Sequence, residues 1–70
     1  MGESVYKIIT LVGKSTESWE KAAASAVEQA SKNLRDLRIA EVEELDMQIE
    51  GGKIIAYRAK IRVSFKYHGE

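Results

Sequence analysis

The strongest constraint on the fold is a pair of alternating segments joined by two glycines. Residues 40–50 and residues 54–67 each alternate apolar and polar side chains, which is the pattern of a half-buried strand. Between them lie Gly51, Gly52 and Lys53, and glycine adopts the positive φ that a tight hairpin turn requires. The pattern therefore predicts two neighbouring antiparallel strands, the second and third of the chain.

The charges of these two segments predict how the strands pair. Residues 41–50 contain five acids and no base, whereas residues 53–66 contain five bases and no acid. A three-residue turn sets acids opposite bases, whereas a two-residue turn sets Leu45 against Arg58. One β-bulge at Glu43 and Glu44 then keeps the apolar side chains on one face. The predicted pairs are Ile49–Ile55, Met47–Tyr57, Asp46–Arg58, Leu45–Ala59, Glu44–Lys60, Val42–Ile61 and Glu41–Arg62.

The first half of the chain predicts one strand and one long helix. Residues Val5 to Val12 are apolar at nearly every position and end at Gly13, which is typical of a strand buried on both faces. From about Thr16 to about Leu37, apolar residues recur at three- and four-residue steps, with Ser15 or Thr16 as the expected N-cap. Trp19 lies at the start of this apolar stripe, and we interpret it as a packing residue that closes one end of the core.

Together these elements predict an α+β fold of β-α-β-β order, with residues 1–70 forming one domain. Its three-stranded antiparallel sheet packs on one long amphipathic helix, and the first strand lies beside the third. The helix is expected to cover the apolar face of the hairpin, which leaves the charged face without a second layer. The apolar face consists of Val42, Leu45, Met47, Ile49, Tyr57, Ala59, Ile61, Val63 and Phe65.

A chain of 70 residues buries too little apolar surface to be very stable alone, so it needs further support. Disulfides are impossible without cysteine, and His68 as the single histidine nearly excludes a structural zinc site. Association with further copies is the support that remains. We see no signal peptide and no membrane-spanning segment, and the lack of cysteine is typical of the reducing cytoplasm.

The sequence contains none of the usual signals of catalysis or of nucleic-acid binding. It has no cysteine nucleophile, no serine with an evident histidine base and no phosphate-binding glycine motif. The basic segment 53–66 lies beside an equally strong acidic one that largely cancels its field, so we expect no nucleic-acid partner. We also expect no membrane partner. The protein is predicted to be no enzyme.

Several short segments, in order, resemble the dodecin family. They are VYK at residues 5–7, LVGKS at 11–15, SWEKA at 18–22, LRIAEV at 37–42 and VSFK at 63–66. The resemblance implies a β-α-β-β subunit that assembles into a hollow particle of twelve copies. It also implies a flavin site between subunits, where many dodecins store or quench flavins without turning them over.

The resemblance places two flavin-binding positions at Ile39 and Arg58, and both are substituted here. Flavin-binding members have a stacking tryptophan and a hydrogen-bonding glutamine at these positions. Isoleucine has no π face, and arginine donates hydrogen bonds but cannot accept one from the flavin imide. The sequence thus resembles the flavin-free branch, which includes calcium-binding members, and bound flavin is not expected.

Calcium is therefore the candidate cofactor, and the acidic second strand supplies the candidate ligands Glu43, Glu44 and Asp46. Successive strand residues point to opposite faces, so symmetry-related copies would have to complete the site. The leading hypothesis is a self-assembling, dodecin-like homododecamer that binds or stores a small ligand or cation. The alternatives are a dodecin that sequesters riboflavin or FMN in an altered pocket, and a small protein–protein adaptor.

Overall fold

The computed structural model describes residues 3–67 and places three strands and one helix within them. The elements are β1 (Tyr6–Ser15), α1 (Trp19–Ser31), β2 (Leu37–Glu50) and β3 (Lys53–Lys66). They form one antiparallel sheet of order β1-β3-β2, with α1 packed on one face. The predicted β-α-β-β fold, and the position of the first strand beside the third, are confirmed. No helix in this part of the chain is both long enough and apolar enough to span a bilayer.

The pairing of β2 with β3 follows the predicted register except near the turn. Val42 pairs with Ile61 and Glu44 with Lys60, so Glu43 is the extra residue of the predicted β-bulge. The predicted pair Ile49–Ile55 is wrong, because Ile49 pairs with Ile54. The turn consists only of Gly51 and Gly52, with φ of 57° and 76°, and is followed by a second irregularity in which Ile55 is the extra residue. A two-residue turn followed by one bulged residue shifts β3 by as much as a three-residue turn would. Gln48, and the β2 residues before it as far as Glu41, therefore have the predicted partners.

The helix is shorter than the sequence pattern predicted. It runs from Trp19 to Ser31, so its 13 residues span about 20 Å. Its N-cap is Ser18, not Ser15 or Thr16, and the Ser18 hydroxyl accepts a hydrogen bond from the backbone N–H of Lys21 at 3.0 Å. The chain leaves the helix because Leu37, which fits the helical period, pairs with Phe65 in the sheet instead.

The core is made of small side chains from α1 and medium-sized ones from β3. Ala22 and Ala26 of the helix pack on Ala59, Ile61 and Val63. Ile61 and Val63 are the largest fully buried side chains of the described residues. The helix can approach the sheet closely because its own buried side chains are alanines and Gly13 of β1 lies beneath it. The resulting core is compact but holds little apolar volume.

The helix covers only part of the sheet, so two sequence expectations are wrong. Strand β1 is not buried on both faces, since Ile8 and Val12 are 57% and 55% exposed. The apolar face of the hairpin is also only partly covered, because α1 lies over β1 and β3. The side chains left exposed on this face form what we call the β2 apolar row: Val42, Leu45, Met47 and Ile49, each 42–60% exposed.

Candidate functional site

The sheet face opposite α1 carries most of the charged side chains of the hairpin, and we call it the charged face. Its members follow from the strand register, because α1 packs on Ala59, Ile61 and Val63 and the residues between these point away from it. On β2 the face holds acids, and on β3 it holds bases. Its charged residues are Glu41, Glu44 and Asp46 from β2, Arg58, Lys60 and Arg62 from β3, and Lys14 from β1.

Asp46 and Arg58 form the best-defined ion pair of this face. The Nε of Arg58 donates to Oδ1 of Asp46 at 2.7 Å, and Nη2 donates to Oδ2 at 2.8 Å. These hydrogen bonds hold the pKa of the Asp46 carboxyl below its ordinary value and raise the pKa of the Arg58 guanidinium. Both side chains are about half exposed, so the pair mainly fixes the register of the strands.

Arg62 contacts two acids because the β-bulge brings them to the same side of β2. Its Nη2 donates to Oε1 of Glu41 at 2.8 Å, and its Nε lies 3.6 Å from Oε2 of Glu43. Hydrogen bonding to Glu41 raises the pKa of Arg62, with a smaller contribution from the charge of Glu43. Within residues 3–67, the Nε of Arg62 is the buried side-chain polar atom without a hydrogen-bond partner.

Trp19 connects the helix to β2 at the same residue that holds Arg58. The indole Nε1 donates to the backbone carbonyl of Asp46 at 2.9 Å. The ring also packs edge-on against Tyr57 with a centroid separation of 5.1 Å. The packing role expected for Trp19 agrees with this ring contact. The hydrogen bond to Asp46 was missed, because no local pattern relates residues 27 positions apart.

The predicted metal ligands lie on or beside the charged face but do not form a cage within one chain. Glu43 approaches Arg62, and both oxygens of Asp46 contact Arg58. Glu44 is opposite Lys60 and is the one of the three without an ion pair within the described part of the chain. No three acidic or histidine side chains of residues 3–67 converge on a common point. His68 lies outside the described residues.

Ile39 and Arg58 share the charged face but lie far apart in one subunit. Ile39 pairs with Ser64, which is six residues from Arg58 along β3, or about 20 Å. Ile39 is 67% exposed, and Arg58 is held by Asp46. Any site that includes both positions therefore needs two copies of the chain.

An apolar groove of about 490 Å³ lies beside the helix on the opposite face of the sheet. Its walls are Trp19 and Ala23 of α1 and Val42 and Leu45 of β2, and Glu20 lies at its rim. The groove exists because α1 packs over β1 and β3 and leaves the inner side of β2 open. It is continuous with the β2 apolar row.

The sequence of the whole fold matches one known family. The family model described as Dodecin matches residues 5–68. The chain belongs to the dodecin family. The calcium dodecin of Mycobacterium tuberculosis is 49% identical over 63 residues, which cover 90% of this chain and 89% of that protein.

Solved dodecin structures share the fold over nearly the whole length. The dodecin of Streptomyces coelicolor has a TM-score of 0.92 at 28% identity and covers all of both chains. The crystal structure of the Mycobacterium tuberculosis calcium dodecin has a TM-score of 0.83 at 48% identity and covers 96% of each chain. The recognition of a dodecin from the short segments of the sequence is therefore confirmed.

Proposed function

We propose that this dodecin is a non-enzymatic, self-assembling protein that binds calcium between copies of the chain. The observation that carries the proposal is the cluster of four acids in the middle of β2, Glu41, Glu43, Glu44 and Asp46, where the bulge places both Glu41 and Glu43 beside Arg62. Calcium favours six to eight oxygen ligands, several of them carboxylates. One chain supplies too few, so we assign Glu43, Glu44 and Asp46 to a site completed by symmetry-related copies.

Two further observations support the proposal. A relative that is 49% identical is named calcium dodecin, and its crystal structure is described as calcium-chelating with a calcium-binding site. In addition, many large apolar side chains of the subunit are exposed, including the whole β2 apolar row. A particle of twelve copies would bury such surfaces. The same proposal includes a single domain over residues 1–70 and a cytoplasmic location for the protein.

Flavin is not part of the proposed function. Ile39 offers no aromatic plane, and the Nε and Nη2 donors of Arg58 are bound to Asp46. A yellow purified protein, or a wild type that quenches riboflavin fluorescence at micromolar concentration, would favour flavin sequestration instead. A stable monomer would favour the adaptor function.

Calcium should raise the melting temperature of the wild-type protein, because a ligand that binds only the folded state stabilises it. At a calcium concentration 100 times the dissociation constant, the gain is about 2.7 kcal/mol. Differential scanning fluorimetry with calcium chloride, and with magnesium chloride for comparison, measures this gain. The Glu44→Gln variant should lose most of it.

The matched control is Glu28→Gln, which removes one exposed acid from the helix and should retain the full calcium response. A wild type whose melting temperature does not change with calcium would contradict the proposal. So would an equal loss of the response in both variants, because the effect would then reflect net charge alone.

A further inference from the structure

Both oxygens of the Asp46 carboxylate are already bound to a cationic side chain. Arg58 donates to them from Nε and Nη2 at 2.7 and 2.8 Å. Calcium binds carboxylates through the same oxygens at about 2.3–2.6 Å. A calcium ion at Asp46 would therefore lie directly beside the guanidinium, where the two positive charges repel.

We infer that Arg58 is an internal competitor for the cation, and that its release from Asp46 sets the calcium affinity of the protein. The inference rests on the proposed function, since it concerns the affinity of the proposed site. Arg58 is free to leave because its side chain is 47% exposed and Asp46 is its one ion-pair partner within residues 3–67. Arg62 differs, because it is held by Glu41 and Glu43 together.

A substitution of Lys14 provides the control that distinguishes this competition from a general effect of positive charge. Lys14 pairs directly with Arg58 across β1 and β3, so it brings a positive charge to the same row of the charged face. Its Nζ donates to the amide oxygen of Gln48 at 3.3 Å and makes no ion pair with a carboxylate of the described chain. Removing Lys14 therefore removes an equal charge without freeing a ligand.

The test is isothermal titration calorimetry, which measures the dissociation constant for calcium when the assembled protein is titrated with calcium chloride at 0.15 M salt. The Arg58→Gln variant should bind calcium about tenfold more tightly than wild type, because a bidentate, charge-assisted contact no longer occupies Asp46. Lys14→Gln should gain less than about threefold, since exposed charges are screened at this ionic strength. Circular dichroism and native mass measurement confirm that each variant is folded and assembled.

Asp46 provides the decisive comparison. If Arg58 acts through Asp46, Arg58→Gln should give no gain in an Asp46→Asn background. If Arg58→Gln fails to assemble, Arg58→Lys replaces it in the test. Lysine keeps the charge but cannot form the bidentate contact with Asp46. This variant should bind calcium about threefold more tightly than wild type.

The outcomes distinguish the inference from the proposed function. Wild type that binds calcium while Arg58→Gln and Lys14→Gln behave alike would overturn the inference and leave the proposed function intact. A gain that persists without Asp46 would also overturn it. No calcium binding by any variant would overturn both.

Discussion

Gly13 determines how closely the helix approaches the sheet. A Cβ atom built at this position would lie 1.9 Å from the backbone oxygen of Ala22 and 3.1 Å from the Cβ of Ala26. The first of these neighbours is backbone, so it cannot move aside without moving the helix. The glycine that ends the apolar run of β1 is therefore a packing requirement and not only a turn signal.

Replacing Gly13 with alanine should destabilise the fold by about 3 kcal/mol, the upper end of the range for overpacked cores. Chemical denaturation followed by circular dichroism measures the free energy of unfolding. Gly51→Ala is the matched control, because it adds the same methyl group in open space at a φ of 57°. That strain alone should account for about 1–2 kcal/mol. Equal losses at the two positions would contradict the close packing of α1 at Gly13.

Among the strands and the helix, the sequence predicted the features that follow from local alternation, such as strand pairing. It did not predict the features that depend on contacts between residues far apart in the chain, such as the end of the helix. Apolar alternation and charge pairing were sufficient to predict a bulge at Glu43 and Glu44 and to place Asp46 opposite Arg58, and the structure identifies Glu43 as the extra residue. Helical periodicity could not show that Leu37 would pair with Phe65, because that contact joins residues far apart in the chain. For the same reason the exposed side of β1, and the bond from Trp19 to Asp46, emerged only from the folded arrangement.

The assignment of Ser18 as the N-cap of α1 can be tested by substitution. Ser18→Ala removes the side-chain acceptor for the Lys21 N–H and should destabilise the protein by about 1 kcal/mol. Ser25→Ala is the matched control, because Ser25 is exposed in the middle of α1 and alanine has the higher helix propensity there. Thermal denaturation should show a loss only for Ser18→Ala. A loss of similar size in Ser25→Ala would argue against Ser18 as the cap.

For the whole molecule, the balance between buried and exposed apolar side chains is the main feature. The described core contains two fully buried side chains larger than alanine, Ile61 and Val63. Many larger apolar side chains remain exposed, among them the β2 apolar row. A subunit with so small a core is expected to depend on its neighbours, so folding and association should be linked.

Native mass spectrometry should therefore detect particles of twelve 7.8 kDa chains and no stable monomer at micromolar concentration. Leu45→Glu places a charge in the β2 apolar row and should dissociate the particle, since burying an unpaired carboxylate is strongly unfavourable. Ser25→Glu introduces the same charge on the exposed side of the helix and should leave the mass unchanged. An intact particle in Leu45→Glu would show that this row is not part of the interface.

The bulge in β2 also identifies a residue that the strand can lose. Val42 pairs with Ile61 and Glu44 with Lys60, which are consecutive residues of β3, so Glu43 has no partner of its own in the ladder. Deleting Glu43 would join Val42 to Glu44 in an unbroken register, with every side chain still on its present face. Deleting a regularly paired residue of β2 would instead turn part of the strand over. Chain length can therefore vary at Glu43 without a change of fold, and any such change alters the number of acids beside Arg62.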